Sequence, residues 1–209
     1  MTGPDDDQLR YVALNCTLKP GPEASSTDLL LDAITGELET FGYTGETVRV
    51  VDRGLAHGVT ADEGVGDGWP AIRQLVLDSQ ILVVGTPIWL GHPSSVCQQV
   101  MERLDAFLGE TDERGQIATV DRVALVAVVG NEDGAHHVGA ELFQGLNDVG
   151  FTLPPGAMAY WVGEAMGSTD LKDLDAIPDS TMGQARTMVA NAAHLVAHLS
   201  GAGPYPSLS

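Results

Sequence analysis

Five short apolar runs alternate with five stretches of helical spacing along this chain. The runs are Tyr11 to Cys16 (YVALNC), Thr47 to Val51 (TVRVV), Ile81 to Val84 (ILVV), Arg122 to Val129 (RVALVAVV) and a segment within Phe151 to Trp161. Each is nearly continuous Val, Ile, Leu and Ala, the pattern of strands buried on both faces. Between them, Leu30, Ile34 and Leu38 recur at i, i+4 and i+8, joined by Leu31 and Phe41. The same helical period returns in Val96, Val100, Leu104 and Phe107, in Val138, Leu142, Leu146 and Val149, and in Met188, Ala192, Leu195 and Leu199. A shorter helix is expected from Pro70 to Asp78, with Pro in the first turn. Ser25, Ser26 or Thr27 can cap the first long helix, Asp28 suits its dipole, and Gly42 ends it.

This alternation predicts an α/β three-layer sandwich with a parallel sheet covered on both faces. With right-handed crossovers and five strands, it points to the flavodoxin-like order 2-1-3-4-5. One domain is expected over 1–209, with 1–10 and 202–209 as tails. Neither a repeat nor a second domain is visible.

Charge and cysteines narrow the function classes. Ten Lys and Arg against 29 Asp and Glu give a formal charge of −19. Such a surface repels phosphate backbones and anionic headgroups, so nucleic-acid or membrane partners are not expected; the same charge also suits a solubility-driven surface with no partner. Cys16 and Cys97 form no ligand cluster and read as buried thiols. The acidic start, MTGPDDDQLR, has no apolar core of a signal peptide, and no apolar run approaches a bilayer span. A cytoplasmic location is expected.

In an open α/β sheet the ligand lies beyond the carboxyl ends of the strands at the switch point, so the loops after strands 1, 3 and 4 carry the chemistry. The first holds Asn15, Thr17, Lys19, Ser25, Ser26 and Thr27 before a helix N-terminus, a hydroxyl- and ammonium-bearing cradle for phosphate. The same residues also fit a plain helix cap with a solvated lysine. The second, Thr86-Pro87-Ile88-Trp89-Leu90-Gly91, offers a stiff apolar wall for a flat heterocycle, although Trp89 also fits the core or a subunit contact. The third, Gly130-Asn131-Glu132-Asp133-Gly134-Ala135-His136-His137, lets backbone N–H groups approach a ligand closely. No GxGxxG follows a strand, and neither a P-loop nor a GxSxG elbow is present. His194 and His198 share a helix face without the Glu of a zincin, and no metal site is expected there. The GVGDGW run reads as a loop, Asp5 to Asp7 as a solvated tail, and Asp52 as a weak ribose-binding acid.

Together the three loops resemble the flavodoxin-like NAD(P)H-dependent FMN reductase and quinone reductase family. NCTLKPGPEASST is similar to its phosphate loop, GTPIWLGHPSSVCQQVMERLDAF to its segment of Pro, aromatic, small-residue turn and helix, and GNEDGAHH to its flavin-edge loop. The resemblance covers residues 11 to 163. It implies that Thr17, Lys19, Ser25, Ser26 and Thr27 hold the FMN phosphate. Pro87, Ile88, Trp89, Leu90 and Gly91 would line one side of the ring, and Gly130, Asn131, Glu132, Gly134 and His137 another. NADH or NADPH would deliver hydride to the flavin, which would reduce a quinone, a flavin or another acceptor. No catalytic side chain is implied, since flavin N5 carries the chemistry; His136 or His137 could assist a quinone. Lys19 stands where many members carry Arg, and Pro20, Pro22 and Glu23 make the loop stiffer and less positive. The resemblance also implies a homodimer or tetramer, with Trp89, Trp161 and the loop from Gly163 to Thr181 as contact candidates. Two other readings stay open: a flavodoxin-type electron carrier, and a flavin-free binding protein of the same fold.

Overall fold

The computed structural model describes residues 8–207, so the acidic run Asp5 to Asp7 lies outside the described residues. Six strands are present: β1 (Arg10–Asn15), β2 (Thr44–Arg49), β3 (Ile81–Trp89), β4 (His92–Pro93), β5 (Val123–Gly130) and β6 (Met158–Val162). Five helices accompany them: α1 (Ser26–Thr40), α2 (Trp69–Leu77), α3 (Ser95–Leu104), α4 (Ala135–Asp148) and α5 (Asp179–Ala202). The parallel strands run in the order β2-β1-β3-β5-β6, and β4 pairs antiparallel with the end of β3. Numbered as parallel strands alone, this is the expected 2-1-3-4-5 order.

Two cores follow from the alternation of side chains along each buried strand. On one face Val12, Leu14, Leu82, Val84, Val126 and Val128 meet α2, α3 and α4; on the other Ala13, Val83, Leu125 and Ala127 meet α1 and α5. The predicted stripe Leu30, Leu31, Ile34 and Leu38 is fully buried, each side chain contributing about 1.5–3 kcal/mol of transfer free energy. Phe41 instead closes α1 as its C-cap residue and is exposed, because Gly42 at φ 85° turns the chain there.

Several boundaries differ from the expectation. β2 begins three residues early and ends at Arg49, and Val50–Arg53 forms a 3₁₀ turn. β3 extends to Trp89 because the antiparallel partner His92–Pro93 gives its end a second ladder. β6 is confined to Met158–Val162, since Pro154 and Pro155 lack the N–H a strand must donate. Arg10 belongs to β1 and Ala202 to α5. The segment after α5 is tied back, Gln116 Nε2 donating to the Pro206 carbonyl at 2.6 Å. No helix among the described residues is long and apolar enough to cross a membrane.

The loop between the 3₁₀ turn and α2, which contains GVGDGW, is organised by a buried ion pair. Arg103 on α3 reaches Asp67 at 2.7 Å, with both side chains fully buried. Its guanidinium also donates to the carbonyls of Ala56 and Thr60, each at 2.9 Å, and lies over the Trp69 ring. Burial alone would raise the Asp67 pKa. The N–H groups of Glu63, Trp69 and Ala56 and the Arg103 guanidinium outweigh it and hold the carboxyl far below its usual range. A depressed folded-state pKa stabilises the protein above the unfolded-state value of about 4 and loses that stabilisation as pH falls below it. Removing one partner of a buried pair strands the other, so Arg103→Ala should lower unfolding free energy by about 3–5 kcal/mol in urea titration. Asp67→Asn should flatten the acid limb of the stability-versus-pH curve; an unchanged limb would show that Asp67 does not contribute to it.

Candidate functional site

The carboxyl ends of β1, β3 and β5 open onto a cleft of about 470 Å³, within the size range of small-ligand sites. Its floor begins at the end of β1. Asn15 Oδ1 accepts the Thr17 N–H at 2.9 Å, which turns the chain out of the strand, and Asn15 Nδ2 donates to Asp28. Arg49, at the end of β2, pairs with the other Asp28 oxygen and donates to the Glu23 carbonyl at 2.8 Å. Asp52 accepts the Gly21 N–H. The loop from Thr17 to Ser25 is therefore braced from β2, and Asp52 serves as a brace for this loop.

This bracing leaves useful groups facing the cleft. Ser25 caps α1, its Oγ accepting the Thr27 N–H at 3.2 Å. Thr17 Oγ1 accepts from Lys19 N, and Ser26 Oγ accepts from Lys172 N. Each oxygen accepts in these bonds, so each O–H proton stays available to an anion. The first-turn N–H groups and the helix dipole favour the same charge. Asp28 does not spoil the site, because Arg49 neutralises it. Lys19 lies 3.9 Å from Glu23, an exposed pair that a phosphate can compete for.

Opposite stands the apolar wall. Pro87, Ile88, Trp89 and Leu90 line the cleft, and Trp89 is about half exposed. Trp89 and His92 pair across a two-residue turn in which Leu90 has φ 53° and Gly91 φ 78°. Two successive positive φ values suit a tight hairpin, and Leu in that region carries backbone strain. The Leu90 N–H is held by Glu132 Oε1 at 3.1 Å. Gly91 also packs against Gly134, where a Cβ would stand 2.8 Å from the Gly91 Cα.

Ser94 joins the two sides. It is completely buried and caps α3, its Oγ accepting Cys97 N–H at 3.1 Å and donating to the Cys16 carbonyl at 2.6 Å. Its own N–H donates to Thr86 Oγ1 at 3.0 Å. One side chain thus ties the end of β1 to the exit of β3. Cys16 and Cys97 are both free and buried, and burial pushes the Cys16 thiol well up, so it stays protonated.

The third side comes from β5, β6 and the loop after β6. Gly130, Asn131, Glu132 and Trp161 line the cleft, with Met166, Gly167 and Asp170. Asn131 Nδ2 donates to the Gly167 carbonyl at 2.7 Å, and its carbonyl accepts from Met166 N at 2.8 Å. The loop after β6 is therefore fastened to the loop after β5.

Of the expected site residues, Thr17, Lys19, Ser25, Ser26, Thr27, Pro87, Ile88, Trp89, Leu90, Gly130, Asn131 and Glu132 meet in this one cleft. Gly91 and Gly134 lie behind the wall and allow its turn to approach α4. His137 is turned away and pairs with Glu141 at 2.8 Å, while His136 packs edge-on against Tyr160. Leu18, Val129, Trp161, Met166, Gly167 and Asp170 also line the cleft, and sequence reasoning did not assign them to it. For Met166, Gly167 and Asp170 the one sequence signal is the length of the loop from Gly163 to Thr181.

A hydroxyl-rich helix N-terminus facing an apolar wall at the β1/β3 switch point defines a site for a phosphate-bearing planar ligand on a flavodoxin-like fold. The donor set and the wall fit FMN. Residues 9–166 match the family of NADPH-dependent FMN reductases. The 8-demethyl-8-aminoriboflavin-5′-phosphate synthase of Streptomyces davaonensis is 32 % identical over 197 residues, covering 90 % of this chain and 77 % of that protein. The crystal structure of RosB with its bound intermediate, 8-demethyl-8-formylriboflavin-5′-phosphate, superposes with TM-score 0.82 at 31 % identity, covering 94 % of this chain and 82 % of the other. A protein of Mycobacterium bovis named divalent metal cation transporter MntH is 42 % identical over 166 residues, or 78 % of this chain. The chain spans only 24 % of that protein's length. The chain belongs to the NADPH-dependent FMN reductase family.

Because Ser94 holds both sides of the cleft, Ser94→Ala should lower stability by about 2 kcal/mol, through the lost cap and the unpaired Cys16 carbonyl. It should also weaken FMN binding in a fluorescence titration. Unchanged stability and affinity would show that the two sides are independently held.

Proposed function

We propose that this protein transfers hydride from NADH or NADPH through FMN to a small acceptor such as a quinone or a flavin. The observation that carries the reading is the convergence, in one cleft, of the hydroxyl-bearing loop at the α1 N-terminus and the apolar wall after β3. Thr17, Lys19, Ser25, Ser26 and Thr27 bind the phosphate. Pro87 to Leu90 orient the ring and exclude water from one side of it, and Gly130 to Glu132 border its polar edge. Bound there, FMN would supply the electrophilic ring nitrogen for hydride transfer. No side chain is required as acid or base.

Lys19 is the only cation among the residues lining the cleft. With no second cation there for a 2′-phosphate, the reading favours little discrimination between NADH and NADPH. A neighbouring hollow of about 560 Å³ shares Trp161, Met166 and Gly167 with the cleft, and supports access of nicotinamide or acceptor from that side. Leu90 and Met166 are about nine-tenths exposed at the rim, which supports a homodimer or tetramer closing over the site. The −19 charge disfavours nucleic-acid and anionic-membrane partners and supports small molecules as substrates. A second reading, in which a flavin phosphate is itself converted, is favoured by the relative that makes one. An unchanged mass of FMN recovered after incubation in air with the protein and an amino donor would count against it.

FMN-loaded protein without air should lose its visible flavin bands on adding either NADH or NADPH. Bands that persist with both would overturn the reductase reading in favour of a carrier. Lys19→Ala should weaken FMN about tenfold, the worth of one charge-assisted bond, and leave riboflavin affinity unchanged. An equal effect on both flavins would place the phosphate elsewhere.

A further inference from the structure

Behind the apolar wall, on the side away from the cleft, His92, His137 and Glu141 form a cluster that the flavin chemistry does not use. His92 is the first residue of β4, just past the Leu90-Gly91 turn, and His137 and Glu141 are one turn apart on α4. Glu141 Oε1 lies 2.9 Å from His92 Nδ1 and 2.8 Å from His137 Nε2. The two imidazoles stand edge to face, their centroids 5.0 Å apart, and all three ligand atoms lie within 4.8 Å of one another.

Around a first-row transition metal with bonds of about 2.0–2.2 Å, neighbouring ligand atoms stand about 3–3.5 Å apart. The two oxygen–nitrogen separations are already within a few tenths of an ångström of that range. The nitrogens close the rest by rotation of exposed rings. The backbone beneath is fixed: Gly134 abuts Gly91, and Glu132 holds the Leu90 N–H. The hairpin and α4 therefore present the three ligands at a set separation. The other pair with metal-ligand spacing, His194 and His198, has no third ligand among the described residues.

We infer that His92, His137 and Glu141 bind one divalent transition-metal ion, of the imidazole-preferring class that includes Zn²⁺, Ni²⁺ and Cu²⁺. Two nitrogens and one carboxylate suit these ions, whereas Mg²⁺ and Ca²⁺ require more oxygen ligands. The ion completes its shell with water, since the cluster faces solvent. Bound there, it bridges the β3–β4 turn to α4 and so holds the turn that presents Trp89 and Leu90 to the cleft. The cluster and its ligand set do not depend on the flavin reading.

The test is calorimetric titration of the purified, chelator-stripped full chain with Zn²⁺, and separately with Mg²⁺. The expected result is one saturable Zn²⁺ site in the micromolar range, no comparable Mg²⁺ site, and a higher thermal midpoint with stoichiometric Zn²⁺. His137→Ala and Glu141→Gln should each weaken Zn²⁺ more than about tenfold, at least the loss seen on removing a supporting group, and abolish the thermal shift. His194→Ala with His198→Ala should leave both unchanged. The inference is overturned if wild type shows no saturable Zn²⁺ binding. It is equally overturned if binding survives His137→Ala and Glu141→Gln, or disappears with the His194 and His198 substitutions. All four substituted positions are exposed, and circular dichroism of each variant checks that it remains folded.

Discussion

The buried hydroxyl of Ser94 is the constraint on which the site depends. A parallel sheet fixes where β1 and β3 end but says nothing about how their loops face each other. Ser94 settles it with three hydrogen bonds: one to the carbonyl of Cys16, one from the N–H of Cys97 and one from its own N–H to Thr86. The loop that carries the hydroxyls and the strand end that carries the apolar wall become one rigid frame. All three bonds lie where water cannot compete, which raises the penalty for leaving any of them unmade.

Charge is placed with similar economy. The chain carries a formal −19, yet its anion-binding end needs local positive potential. Asp28 in the first turn of α1 would oppose that, and Arg49 cancels it while also gripping the carbonyls of the loop. Lys19, whose contact to Glu23 is exposed, is left for the ligand. Across the cleft Glu132 holds the Leu90 N–H of the apolar wall, and a ligand with one anionic terminus and an uncharged ring matches the polarity of the site.

Much of this was legible in the sequence. The Val/Ile/Leu runs and the i, i+4 stripes led to the layers and the strand order, because burial on both faces leaves an unambiguous pattern. The rule that ligands sit beyond the carboxyl ends of parallel strands then picked out three loops, and twelve residues chosen from them share the cleft. What was hidden depends on tertiary contacts. Nothing local marks Arg49 as a brace or Arg103 as the buried partner of Asp67, 36 residues away. His137 was expected at the flavin edge because it follows Gly134, but the first turn of α4 rotates it to the opposite side, beside His92. Met166 enters the cleft beside Trp161 of β6 because Asn131 fastens the Met166 loop, a contact no spacing rule reveals. The end of β3 was missed because the two-residue β4 is too short to leave a pattern.

The family match ends at residue 166, close to where the loop after β6 completes the third wall, and α5 serves chiefly to cover the sheet. In the proposed complex one cleft holds phosphate at the α1 N-terminus and the flavin ring against Trp89. A crystal structure of the FMN complex tests it most directly. Phosphate is expected within hydrogen-bond distance of Thr17, Ser25 and Thr27, with the ring along Pro87 to Leu90. A flavin seated in the neighbouring hollow of Gly163 to Leu174, or with its ring reversed toward Lys19, would contradict it.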